Sequence, residues 1–107
     1  MLPGTLDLVI LRTLEATGPL HGYRLARRIE EISDGDIAMN QGTLYPALLK
    51  LEQSGWIAPA WGESETGRRV KVYRLTAAGR KQLRTEEADW TKTASVVARF
   101  FKLGHRA

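Results

Sequence analysis

The sequence predicts a mainly α fold with one small β-hairpin and a long helix closing the chain. Three observations carry this. Apolar side chains recur at intervals of three and four in several separate segments, as on helices that bury one face. One segment, Val70-Lys71-Val72-Tyr73-Arg74-Leu75, instead alternates with a period of two, as a half-buried strand does. Finally, 107 residues without a cysteine suit one domain with a modest core and no disulfide framework.

The first helix is expected between Thr5 and Ala16, where Leu6, Val9, Ile10 and Leu14 form an apolar stripe before Gly18-Pro19 breaks the chain. A second runs from His21 to Ile32, with Leu25, Ile29 and Ile32 inward and an end near Asp34-Gly35. Arg24, Arg27 and Arg28 surround its other side, where they could touch phosphate. Arg27 and Arg28 could equally pair with Glu30 and Glu31 three positions on.

The third helix spans about Asn40 to Ser54, on the stripe Leu44, Leu48 and Leu51. Pro46 cannot sit deep inside a helix, so the start lies only a few residues upstream. Asn40 or Thr43 supplies the cap, and Gly55 ends the helix. With the leucines inward, Gly42, Thr43, Tyr45, Pro46, Leu49, Lys50 and Gln53 turn outward or sideways.

Trp56 to Trp61 and Val70 to Leu75 then pair as a hairpin around a loop from Gly62 to Gly67. Thr76 caps the last helix, which runs to Leu103; Gly79 is close enough to its start to be tolerated. Leu83, Trp90, Ala94, Val97 and Phe101 make a heptad-like seam along it. A continuous helix here would be about 40 Å long at 1.5 Å per residue. Val96, Phe100 and Leu103 add a second stripe, more apolar surface than a small three-helix core covers. Pairing with a second copy is the economical explanation; the alternative is folding back on its own domain.

Sixteen Lys and Arg against twelve Asp and Glu give a net charge of +4, which suits a polyanionic partner and would equally suit acidic substrates. The only histidines are His21 and His105, and a structural hydrogen bond is the expected role of His21. No histidine has a carboxylate at a useful spacing, and there is no Gly-rich phosphate loop and no metal-ligand cluster. The chain is therefore not expected to be an enzyme, and no catalytic residue, metal or cofactor is expected. The apolar run from Leu6 to Leu11 is interrupted by Asp7 and followed by Arg12, so it is read as neither a signal peptide nor a membrane span. A soluble, cytoplasmic protein is expected.

From Asn40 to Gly79, a short helix, a glycine-ended turn, a basic hairpin and a helix start follow without a break, an order that suits a DNA-reading surface. Arg68, Arg69, Lys71 and Arg74 crowd the returning strand, while Glu63 and Glu65 sit in the loop. Such a ribbon can lay cations on a phosphate backbone. Its alternative is a solvated edge strand protected by charge. A module of the same shape that presents these faces to another protein remains the alternative function.

Three sets of residues carry a family resemblance: His21-Gly22-Tyr23; Gly42-Thr43-Leu44-Tyr45-Pro46-Ala47-Leu48 followed by Leu51-Glu52 and Gly55; and Tyr73-Arg74-Leu75-Thr76 with Ala78-Gly79. Together they resemble the PadR-like transcriptional regulators, dimeric winged helix-turn-helix proteins of prokaryotes, over about Leu6 to Leu83. The single helix after the wing looks like the smaller subfamily. The resemblance implies a winged helix-turn-helix DNA-binding domain over 1–76 and a dimerisation helix over 77–107, forming one structural unit.

It further implies that the helix from about Asn40 to Ser54 enters the major groove of double-stranded DNA, while the hairpin meets the flanking backbone or minor groove. Gln41, Thr43 and Tyr45 are the groove candidates, Lys50 a phosphate contact, and Arg68, Arg69 and Lys71 the wing contacts. The dimer seam is Leu83, Trp90, Ala94, Val97 and Phe101. A two-fold homodimer places its reading helices about 34 Å apart and favours an inverted-repeat operator. The implied role is a repressor released by a ligand or signal. Trp90 resembles the aromatic residue around which some small members hold planar, aromatic compounds between subunits; its plainer role is interface core. Two positions depart from the family pattern. Trp56 stands where leucine is more frequent, which alters packing under the wing, and Leu49 stands where a polar side chain is common, although leucine can meet a thymine methyl.

Overall fold

The computed structural model describes residues 4–105. Helix α1 spans Thr5–Thr17, strand β1 Leu20–His21, α2 Gly22–Ile32, α3 Gln41–Gln53, β2 Ile57–Glu63, β3 Arg69–Leu75 and α4 Ala77–Phe101, and a 3-10 turn follows at Leu103–His105. The outer limits of the two expected units, residues 1 and 107, lie outside the described residues.

The caps follow from the side chains present. Asn40 accepts a hydrogen bond from the Thr43 amide at 3.0 Å and so starts α3. Thr76 does the same for Gly79 at 2.9 Å and starts α4. Gly18 and Gly55, both at positive φ, let the chain leave α1 and α3.

The three leucines of α3, Leu44, Leu48 and Leu51, are buried against Ile10, Leu11 and Leu14 of α1 and Leu25 and Ile29 of α2. Ile57, Tyr73 and Leu83 close this core from the sheet and α4. Burying each large side chain stabilises the fold by about 1.5–3 kcal/mol. Among the described residues no helix is long and apolar enough to cross a membrane.

Several details differ from the sequence reading. The sheet has three antiparallel strands in the order β1-β3-β2, not two. Leu20 and His21 pair with Tyr73 and Val72 along the other edge of β3, a pairing two residues long that no periodicity could announce. His21 thus meets the sheet through its backbone, and its ring stacks with Tyr23 at 6.5 Å between centroids. The hairpin strands are longer than expected, pairing as far as Glu63 with Arg69. Its loop shrinks to 64–68, closed by the Ser64 amide donating to the Arg68 carbonyl at 2.8 Å and by Gly67 at φ 80°.

Ile32 is 60% exposed, because α2 ends there and the chain turns away through Asp34 and Gly35, both at positive φ. Gly79 is required, not merely tolerated. A Cβ at that position would lie 2.0 Å from the Trp56 carbonyl oxygen, so the first turn of α4 rests directly on the backbone between α3 and β2. Leu83 has no exposed surface at all. It belongs to the core cluster of this chain, and any seam along α4 would begin after it.

Beyond that point α4 leaves the core, and the molecule reaches 63 Å along its longest axis. The helix is tied to α1 by Glu15, which accepts from Arg84 and lies 3.5 Å from Arg80.

Candidate nucleic-acid interface

With its leucines buried, α3 presents Thr43, Tyr45, Leu49 and Gln53 to solvent, on the face that the helical wheel placed outward, and Gln41 is exposed ahead of them. Gln41 and Thr43 occupy its first turn beside the Asn40 cap. The Tyr45 ring leans on the start of α2: a Cβ at Gly22 would lie 3.0 Å from the Tyr45 hydroxyl oxygen. Glycine at 22 thereby allows the corner between the two helices to close tightly.

Lys50 stands apart from these groups. Its Nζ donates to Asp7 Oδ2 at 3.1 Å, and Asp7 is buried while Lys50 is mostly exposed. The ammonium expected on phosphate is thus engaged by α1.

On the wing, pairing across the hairpin sets Trp61 opposite Lys71 and Glu63 opposite Arg69. Paired residues of an antiparallel ladder project from one face, so these four share a side. The Arg69 guanidinium carbon lies 4.4 Å from the centroid of the Trp61 ring. Arg68 is exposed in the turn, with its amide donating to Ser64 Oγ at 3.2 Å. Arg24 of α2 reaches the same turn and donates to Glu65 at 2.5 Å, while Arg28 pairs with Glu31 at 3.3 Å.

Between wing and helices lies a cleft of about 270 Å³ bordered by His21, Tyr23, Tyr45, Trp61, Arg69 and Lys71. It brings together one groove candidate, Tyr45, and two wing candidates, Arg69 and Lys71. Gln41 borders a neighbouring groove of about 310 Å³ with Arg27 and Tyr45. Under the cleft, burial pushes the Tyr73 hydroxyl above its usual pKa, and the charge of Glu52 and then Tyr45 add to that direction.

Two contacts on this surface are not expected from the sequence. Trp61 lies on the expected strand with no role implied, although its phase with Lys71 follows once the hairpin register is known. The contact of Arg24 with Glu65 joins residues 41 positions apart and left no local signal.

Along α4, Trp90 is 46% exposed. It borders a cleft of about 280 Å³ together with Gly4, with Thr5 and Leu8 of α1 and with Glu86 and Asp89, so the start of α1 partly covers it. Ala94, Val97, Phe100, Phe101 and Leu103 are exposed.

Two helices meeting at the Gly22–Tyr45 corner, a third helix behind them and a basic hairpin beside the outward face make a winged helix-turn-helix. Residues 10–85 match the model of the transcriptional regulator PadR-like family, and the chain belongs to that family. It is similar to a transcriptional regulator from Clostridium thermocellum, with 31% identity and a TM-score of 0.82 over 91% of this chain and 93% of that one. A PadR family transcriptional regulator from Eggerthella lenta shows 31% identity and a TM-score of 0.78 over 94% and 84% of the two chains. One from Clostridium difficile shows 28% identity and 0.79 over 92% and 99%. The protein is accordingly a transcriptional regulator of the DNA-binding kind and not an enzyme.

Proposed function

We propose that this regulator is a cytoplasmic, homodimeric repressor that binds an inverted-repeat operator and is released by a small molecule or signal. In this reading α3 enters the major groove with Gln41, Thr43 and Tyr45, and the wing meets the flanking duplex through Arg68, Arg69 and Lys71. The observation that carries it is the shared cleft of Tyr45, Arg69 and Lys71, where a groove-reading helix and a cationic ribbon face one duplex together. The exposed apolar residues of α4 support pairing with a second copy, since a monomer would leave Val97, Phe100, Phe101 and Leu103 in water. A planar aromatic effector would sit against Trp90, in or beside the cleft it shares with α1.

Selection of bound sequences from a random duplex pool at two salt concentrations tests this. An enriched inverted repeat with half-sites about ten base pairs apart is the expected outcome. Salt-sensitive retention without enrichment would leave a nonspecific DNA binder. No retention at either salt would favour a surface for proteins instead.

A further inference from the structure

The net positive charge of this chain does not sit on the part that carries α3 and the wing. Residues 1–76 hold nine Lys and Arg against nine Asp and Glu, and residues 77–107 hold seven against three, so the whole of the +4 falls on the segment of α4. Within α4 the charges are sorted by face. Glu86 and Asp89 border the cleft of Trp90. Arg80, Arg84, Lys92 and Arg99 follow at intervals of four, eight and seven, which keeps them on one face of a 3.6-residue helix, turned away from Trp90, Val97 and Phe101. All four are exposed.

Arg80 and Arg84 share Glu15, and Arg84 also meets Glu87 at 3.2 Å. Among the described residues no carboxylate lies within ion-pair distance of Lys92 or Arg99, so the excess charge is concentrated on the far half of the helix. A groove of about 640 Å³ runs along this face from Arg84 past Lys92 to Arg99. Glu87 is the one acid that lines it, and Ala88, Thr91 and Ser95 lie between the cations.

We propose that this basic face of α4 is a second, sequence-independent phosphate-binding surface, through which the regulator holds another segment of duplex DNA while α3 reads its operator. The inference rests on the DNA-binding reading and adds a second contact to it. No aromatic or large apolar side chain lines the groove, so it lacks the anchor on which a protein partner would depend. Small and hydroxyl-bearing side chains between cations instead let a phosphate backbone come close and accept hydrogen bonds. From Arg80 to Arg99 the row is about 28 Å long at 1.5 Å per residue, the axial length of about eight base pairs. The duplex is a second one because of how the helices pack. The leucines of α3 are buried against α1 and α2, and α4 packs on α1 rather than on α3. The outward face of α3 is therefore separated from α4 by α1 and the core.

The test immobilises the operator duplex recovered by selection, loads it with the full chain, washes away unbound protein and adds a labelled duplex without half-sites at several salt concentrations. Loaded wild type should capture the labelled duplex, and less of it as salt rises. Lys92→Gln combined with Arg99→Gln should load onto the operator as wild type does. Its affinity for the labelled duplex should fall at least about tenfold at about 0.1 M salt, as the loss of two phosphate contacts entails. Arg68→Ala combined with Arg69→Ala, loaded to the same density, should capture as wild type does.

No capture by loaded wild type, or undiminished capture by the Lys92 and Arg99 variant, overturns the inference and leaves operator binding intact. Capture lost with Arg68 and Arg69 changed would assign the second duplex to the wing and overturn it as well. Weaker loading of the Lys92 and Arg99 variant on the operator would put this face on the duplex that α3 reads and overturn the claim of a second segment. Failure of the wild type to load onto any duplex overturns the DNA-binding reading itself.

Discussion

Lys50 of α3 donates to Asp7 in the first turn of α1 at 3.1 Å, and the carboxylate is buried while the ammonium stays largely in water. A buried carboxylate that loses its cation is left with an uncompensated charge. Lys50→Ala is therefore expected to destabilise the fold by about 1–3 kcal/mol, less than a fully buried pair would show because one partner is solvated. Thermal unfolding measures this, and the salt slope of DNA binding should stay nearly constant. Unchanged stability with a slope reduced by about 0.9 would instead make Lys50 a phosphate contact.

Gly79 offers a sharper stability test. Its missing side chain leaves room for the Trp56 carbonyl, which a Cβ would meet at 2.0 Å. Alanine normally favours a helix over glycine by about 1 kcal/mol. Here Gly79→Ala should reverse that sign and cost at least about 2–3 kcal/mol, since α4 must lift from the backbone beneath it. A fall in Tm of about 10 °C or more is the expected readout, and a rise in Tm would show that the close approach does not exist in solution.

On the wing, changing Arg68 and Arg69 together to Ala should weaken binding to every duplex and flatten the dependence of affinity on salt. Each phosphate no longer neutralised removes about 0.9 from the slope. Unaltered affinity and slope would take the wing off the DNA.

Tyr73 gives a pH prediction. Its hydroxyl is held above the usual pKa, by burial first and then by Glu52 and Tyr45. A group whose pKa is raised by folding contributes stability that is fully present below the unfolded value, about 10 for tyrosine. That stability is lost as pH climbs through the folded value. Unfolding midpoints should thus fall in the alkaline range above about pH 10, and Tyr73→Phe should remove part of that fall. An alkaline decline identical in the variant would show that Tyr73 does not contribute to it.

How much of this was legible in the sequence depends on the length scale of each feature. The helices and the hairpin repeat with their own periods over ten residues or so, and Leu44, Leu48 and Leu51 in α3 lie where those periods put them. The pairing of β1 covers two residues and has no period. Leu83 shows a different difficulty. Its seven-residue interval from Trp90 fits a seam, but spacing alone does not say whether a helix face meets its own core or a second copy. The site divides in the same way. Exposure of Thr43 and Tyr45 follows from the wheel of α3, whereas the capture of Lys50 by Asp7 and the seat of Arg69 on Trp61 depend on how α1 packs and on the hairpin register.

The proposed two-fold dimer has two α3 helices that read half-sites one turn of DNA apart. Its most direct test is the affinity for the selected duplex when about five base pairs, half a helical turn, are inserted between the half-sites. Near-complete loss of specific binding is expected, because the second half-site rotates to the opposite side of the duplex, with recovery for the single half-site only at much higher protein concentration. Equal affinity for the original and the expanded spacing would contradict it, since a rigid dimer could not hold both.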